Sequence, residues 1–261
     1  MFRKLTATAA ALISSVVGLA APANAAGTVI FAPSFRNVSG LVTNEYAYWN
    51  ASNTDAVKDS DWDMTSGSLF SSLGATTGVG GSGKIDAKSV DARSARGTNS
   101  AVFRLNTKRT DFDNVNVRFR LNIAALTQTS FTPQVNWDGI HIWMHYQSQY
   151  KLYYASVSRR DGHVVIKKKC PGGPSNDGTY YELSDEVAGF PIAYNTWSYV
   201  SSTIKTNSDG TVSITVFRDD KPIVSVTDKG TGCAPITGPG SVGIRGDNAS
   251  FRFYDFKVRT A

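Results

Sequence analysis

Between Asn114 and Ile123 every second residue is apolar: Val115, Val117, Phe119 and Leu121 alternate with Asn116, Arg118, Arg120 and Asn122. A period of two puts alternate side chains on opposite faces of an extended chain, with one face for a core and one for solvent or a ligand. Ile140–Gln147 repeats the pattern. Ile140, Ile142, Met144 and Tyr146 share one face, and His141, Trp143, His145 and Gln147 share the other. Similar segments follow to Val258, punctuated by turns such as Asp161-Gly162 and Asn207-Ser208-Asp209-Gly210. No stretch carries a convincing helical period. The expected fold class is all-β, a two-sheet antiparallel β-sandwich or jelly roll of roughly a dozen strands.

The first 25 residues stand outside this pattern. Arg3-Lys4, an Ala/Leu/Val-rich run and Ala23-Asn24-Ala25 form a secretory signal peptide with cleavage expected after Ala25. Residues 26–261 are expected to be one jelly-roll domain, secreted and without a membrane span. Loss of Arg3 and Lys4 lowers the formal charge from +6 by two, to a mildly basic +4. The two cysteines, Cys170 and Cys233, are expected to form one disulfide in an oxidising compartment. Residues 27–99 are Gly/Ser/Thr-rich. They offer an opening strand over Val29–Phe35, a core cluster of Tyr46, Tyr48 and Trp49, and a loop at Gly78–Gly83 able to overhang a site.

Two-residue turns at Asp161-Gly162 and Ser148-Gln149 would set three strands in register. His141, Ser156 and Lys167 would then form one row, and Trp143, Tyr154 and Lys169 the next. Ile140, Ile142, Ala155, Val157, Ile166 and Lys168 would lie on the opposite, mainly apolar side. A one-residue change in either loop would flip a strand's faces.

The second half resembles the concanavalin A-like lectin/glucanase jelly rolls. The resemblance rests on Asn195-Thr196-Trp197, Asp209–Ile214 and Asp220, then Gly240–Gly246 and Phe253–Val258. It spans residues 100–258 and implies a concave sheet that carries the ligand. It also implies a structural Ca²⁺ held by Asp255 with backbone carbonyls, and no other cofactor. Looser is the similarity to polysaccharide lyases of the alginate and glucuronan type. Gly139-Ile140-His141 stands where those enzymes carry Gln-Ile/Val-His, and Arg104 or Arg118/Arg120 where they carry an Arg-rich strand.

The chemistry follows from these residue types. β-Elimination needs a cation to neutralise a uronate carboxylate, a base to take the α-proton and an acid for the leaving oxygen. His141 would be the base and Tyr154 the acid, with Arg118, Arg120 or Lys167 as neutralisers. Trp143, His145, Gln147, Lys169 and Arg104 would bind the chain. The alternatives are a non-catalytic carbohydrate-binding domain, with Trp143 and Tyr154 as stacking platforms, and an interaction protein without a sugar ligand. A glycoside hydrolase would need carboxylates from separate strands, since no Glu-x-Asp-x-x-Glu run exists. His141 and His145 would stand ~13 Å apart on a strand, too far for one zinc ion. The expected partner is an acidic polysaccharide rather than nucleic acid or membrane, and the expected state is a monomer.

Overall fold

The computed structural model describes residues 27–34, 40–71, 77–80 (backbone alone), 102–128 and 132–261. The expected signal peptide and residues 81–83 of the Gly78–Gly83 loop lie outside the described residues. The early strands are β1 (Val29–Phe31), β2 (Gly40–Asn44), β3 (Trp62–Ser66), β4 (Ser68–Ser71) and β5 (Thr77–Gly80). A single helical turn, α1 (Glu45–Trp49), follows β2. Then come β6 (Val102–Thr107), β7 (Val115–Leu126), β8 (Gly139–Ser148), β9 (Lys151–Arg159), β10 (Val165–Pro171) and β11 (Gly178–Glu182). The last are β12 (Ser198–Thr206), β13 (Val212–Arg218), β14 (Lys221–Asp228), β15 (Ser241–Asp247) and β16 (Ala249–Thr260).

These strands make two antiparallel sheets. A seven-stranded sheet runs β11-β10-β9-β8-β15-β6-β3. A nine-stranded sheet runs β14-β13-β12-β7-β16-β5-β4-β2, with β1 also paired to β16. The all-β sandwich expected from the alternation is the observed architecture. β11 falls inside what the sequence presents as the loop from Cys170 to Ala193, and α1 carries the Tyr48 and Trp49 expected in the core. Both residues are exposed, with the Trp49 indole N–H donating to the Thr65 carbonyl at 3.0 Å. Among the described residues no helix is long and apolar enough to cross a membrane.

The inner faces fill the space between the sheets. Val117, Phe119 and Leu121 of β7 and Phe251, Phe253 and Phe256 of β16 meet Ile142 of β8, Tyr153 and Ala155 of β9 and Ile244 of β15. Phe119 and Phe256 stack at 5.8 Å. Each such side chain contributes about 1.5–3 kcal/mol on burial. Lys168 also points inward, as the hairpin arithmetic requires, and is fully buried. Its ammonium donates to Asp228 Oδ2 at 2.7 Å, and the Tyr153 hydroxyl donates to the same oxygen at 2.7 Å. The Tyr153 oxygen in turn accepts from the Ile236 N–H at 3.0 Å. The Cys170–Cys233 disulfide closes 63 residues beside this triad. A loop of that length corresponds to about 4 kcal/mol in the chain-entropy model.

Removing one partner of the buried pair leaves a bare charge in the core, whereas replacing both with apolar groups does not. Asp228→Ala is therefore expected to lose about 3–5 kcal/mol in urea denaturation. The double variant Lys168→Met/Asp228→Leu is expected to unfold closer to wild type. If the double variant is the less stable of the two, this account of the triad is wrong.

Candidate functional site

A cavity of about 280 Å³ opens on the outer face of the seven-stranded sheet. Trp137, Tyr154, Ser156, Lys167, Ser175, Tyr180 and Arg245 line it. Register explains the assembly. Arg245, His141 and Ser156 lie side by side across β15, β8 and β9. Trp143, Tyr154, Lys167 and Glu182 make the next row across β8, β9, β10 and β11.

The expected rows hold for β8 and β9 and are displaced for β10. Lys167 stands beside Tyr154 rather than Ser156, and Lys169 beside Leu152. The turn is closed by the Gly162 N–H donating to the Arg159 carbonyl at 3.0 Å, so its tip is Arg160-Asp161, one residue earlier than expected, and the resulting slip of two keeps every side chain on its face. The β8–β9 pairing survives a different turn. Ser148 pairs with Lys151, and an irregularity between Met144 and Ser148 restores the expected partners upstream.

That irregularity displaces two proposed ligand contacts, His145 and Gln147, and two more are lost to burial. His145 takes a left-handed backbone, φ 43°, which costs a non-glycine residue roughly 1–2 kcal/mol. Its ring leaves the His141 face, lies 6.0 Å from the Tyr153 ring and is hydrogen-bonded to the carbonyls of Ile236 and Asp113 at 2.7 and 3.0 Å. Gln147 donates to the carbonyls of Gly238 and Pro239. Lys169 is buried, donating to the Gln149 carbonyl at 2.7 Å with its ammonium 5.0 Å from the Tyr180 ring centroid. Trp143 is also buried, stacked on Tyr146 at 5.0 Å, so it offers no open platform.

Arg118 and Arg120 belong to a different surface. They project from β7 on the nine-stranded sheet, where Arg118 pairs with Asp220. Neither can neutralise a carboxylate held near His141. Arg104 is on the correct sheet, in register with Arg245 and buried.

His141 lies under Tyr154, the two rings stacked at 4.3 Å, with none of its surface exposed. Nδ1 is 3.1 Å from Ser156 Oγ, and Nε2 is 3.4 Å from Asp247 Oδ2. Burial lowers its pKa from 6.5 to about 4, outweighing the upward pull of Asp247. Burial also raises the Tyr154 hydroxyl well above its ordinary value. Burial pushes the Asp247 carboxyl up, but Arg245 and then His141 hold it below the usual carboxylate range. Arg245 grips Asp247 through Nε at 2.7 Å and Nη2 at 2.9 Å, while Nη1 donates to the Tyr180 hydroxyl at 3.0 Å. Lys167 pairs with Glu182 at 2.8 Å. Both cations lining the cavity are thus matched by carboxylates.

Trp137, Tyr180 and Arg245 were not among the site residues expected from sequence. Trp137 is 53 % exposed at the rim. Its signal was an indole between polar residues, Asn136 and Asp138, just ahead of a strand. Arg245 stands in the Gly240–Gly246 segment without a signal of its own, and Tyr180 depends on a strand hidden in loop-like sequence.

The surroundings of Asp255 do not fit a calcium ion. Its carboxylate accepts from the Lys257 ammonium at 2.6 Å and from the Tyr199 hydroxyl at 3.3 Å, so a cation already sits where the metal would bind. The one cluster of three potential metal ligands among the described residues is Asp161, His163 and Glu186. There Arg159 donates to both carboxylates and supplies the balancing charge.

A His whose pKa falls from 6.5 unfolded to about 4 folded favours the folded state fully above pH 6.5. That contribution is lost as pH falls, because only the unfolded chain takes up the proton. About 3 kcal/mol is expected to disappear between pH 7 and 4. The Asp247 contribution fades only below its unfolded pKa near 3.8, so the two windows separate. His141→Gln is expected to flatten the slope of stability against pH in denaturant titrations, and an unchanged slope would contradict the assignment.

The sequence matches no protein-family model, and no curated protein matches it. The Emp46p carbohydrate recognition domain is similar in fold. In a point-mutant form it has 9 % identity, a TM-score of 0.50, and coverage of 90 % of this chain and 98 % of that one. In its potassium-bound form the values are 11 %, 0.50, 88 % and 95 %. A beta-1,3-glucanase from Mycobacterium marinum overlaps at TM-score 0.48 with 10 % identity over 90 % of this chain and 99 % of that one, too loosely to carry an argument. At such identities the likeness shows the fold alone, an antiparallel two-sheet jelly roll.

Proposed function

We propose that this chain is an exported carbohydrate-binding domain that recognises polysaccharide in the cavity beneath Trp137 without cleaving it. The exposed Trp137 indole at the rim of an aromatic and polar cavity carries the reading. Sugar rings present flat C–H faces to aromatic side chains and hydroxyls to hydrogen-bonding groups. Trp137 and Tyr180 provide the first, and Ser156, Ser175, Lys167 and Arg245 the second. The Emp46p domain of the same fold is a carbohydrate recognition domain, which supports a carbohydrate ligand. The disulfide fits an oxidising compartment and so supports export.

The same geometry disfavours turnover. A base must reach the proton it removes, and both His141 nitrogens face Ser156 and Asp247 from beneath Tyr154. A hydrolase acid needs a raised pKa, whereas Asp247 is lowered. Because Lys167 and Arg245 are already paired, the cavity suits the hydroxyls of a neutral sugar better than a uronate carboxylate.

Calorimetric titration with neutral and acidic oligosaccharides tests the reading. Trp137→Ala is expected to weaken binding roughly tenfold or more, and Trp137→Phe to retain most of it. No heat with any saccharide would reject the proposal. Ultraviolet absorbance from a new double bond on incubation with polyuronates would reject its non-catalytic part.

A further inference from the structure

The nine-stranded sheet carries a second constellation on its outer face. Tyr254 of β16, Arg120 of β7 and Tyr199 of β12 stand in one cross-strand row. The Arg120 guanidinium carbon lies 4.4 Å from the Tyr199 ring centroid and 5.5 Å from that of Tyr254. Arg118, one row away, lies 3.9 Å from the same Tyr199 ring. Trp197, 38 % exposed, meets Tyr254 edge-on at 4.7 Å. Exposed Arg252 follows on the same face of β16.

The charges in this strip are not all balanced. Arg118 pairs with Asp220, and Lys257 with Asp255. Among the described residues no carboxylate pairs with Arg120, whose pKa is raised chiefly by Tyr199. A guanidinium flanked by two phenol rings is held in one orientation, which lowers the entropy lost on binding an anion. The aromatic rings beside it supply flat apolar surface for sugar faces.

We propose that this strip is a second glycan-binding surface, and that its ligand is a carboxylate-bearing polysaccharide such as a polyuronate. Arg120 receives the carboxylate, and Tyr199, Tyr254 and Trp197 support adjoining sugar rings. The chain would then have two sites on opposite sheets, a neutral cavity at Trp137 and an acidic-glycan strip at Arg120. One molecule could join two polysaccharides. The proposal does not depend on the cavity being a saccharide site.

Electrophoretic retardation of the full mature chain in gels containing polygalacturonate, a neutral glucan or polyphosphate tests it. Polygalacturonate is expected to retard wild type and Trp137→Ala equally. Arg120→Gln is expected to weaken the polygalacturonate affinity roughly tenfold and leave the neutral glucan affinity unchanged. Arg120→Lys, which keeps the charge but not the stacked plane, is expected to fall between, and thermal melts check that each variant is folded. Unaltered retardation of folded Arg120→Gln overturns the proposal. Equal loss in Trp137→Ala overturns it in favour of a single site. Equal retardation by polyphosphate overturns the saccharide assignment in favour of general anion binding.

Discussion

Two sheets that bury their facing sides allow each strand only one parity. Moving a strand by one residue would drive Arg118 and Arg120 into the core and expose Val117 and Phe119, at a cost of several kcal/mol per strand. A slip of two is harmless in this respect, and β10 takes one relative to a turn at Asp161-Gly162. Parity can change only where the ladder is interrupted. β8 has such an interruption at His145 and β16 has one at Asp255, and both residues adopt positive φ. The first removes His145 from the face of His141. The second brings Asp255 to the Tyr199 hydroxyl beside Lys257.

Fold class and face assignment were legible because both are consequences of period two. Ile140, Val157 and Ile166 are all in the core, and so is Lys168, despite its charge. Its burial follows from parity alone; its partner, Asp228, lies 60 residues away and has no local signal. The same long-range dependence explains the site. His141, Trp143, Tyr154 and Lys167 were read onto the correct face, yet face does not decide depth. Tyr154 covers His141 through a contact that only the assembled sheet defines, and Tyr146 covers Trp143 because of the irregularity at His145 within β8. Placing Arg118 and Arg120 near His141 failed for a plainer reason: alternation tells which side of a strand a residue occupies, but not which sheet the strand joins.

Burial also separates what looks reactive from what can react. A row of His, Ser and Arg beside an Asp has the composition of a catalytic centre. Here the Arg245–Asp247 fork packs beside the neutral His141 beneath a tyrosine, an arrangement that fixes the cavity floor. Such a network works as scaffolding for the groups above it: it holds Tyr180 through its hydroxyl and keeps Arg245 in one rotamer.

The Cys170–Cys233 link and the Lys168–Asp228 pair both join β10 to the segment at and beyond β14. β14 is the outermost strand of its sheet, and β10 is next to the outermost strand of the other. The sandwich is therefore riveted along one margin, while at the opposite margin β2 and β3 are bridged by α1 through non-covalent contacts alone. Under mechanical load or attack by proteases the molecule should open like a book, with its spine on the disulfide side and its free pages at the N-terminal strands.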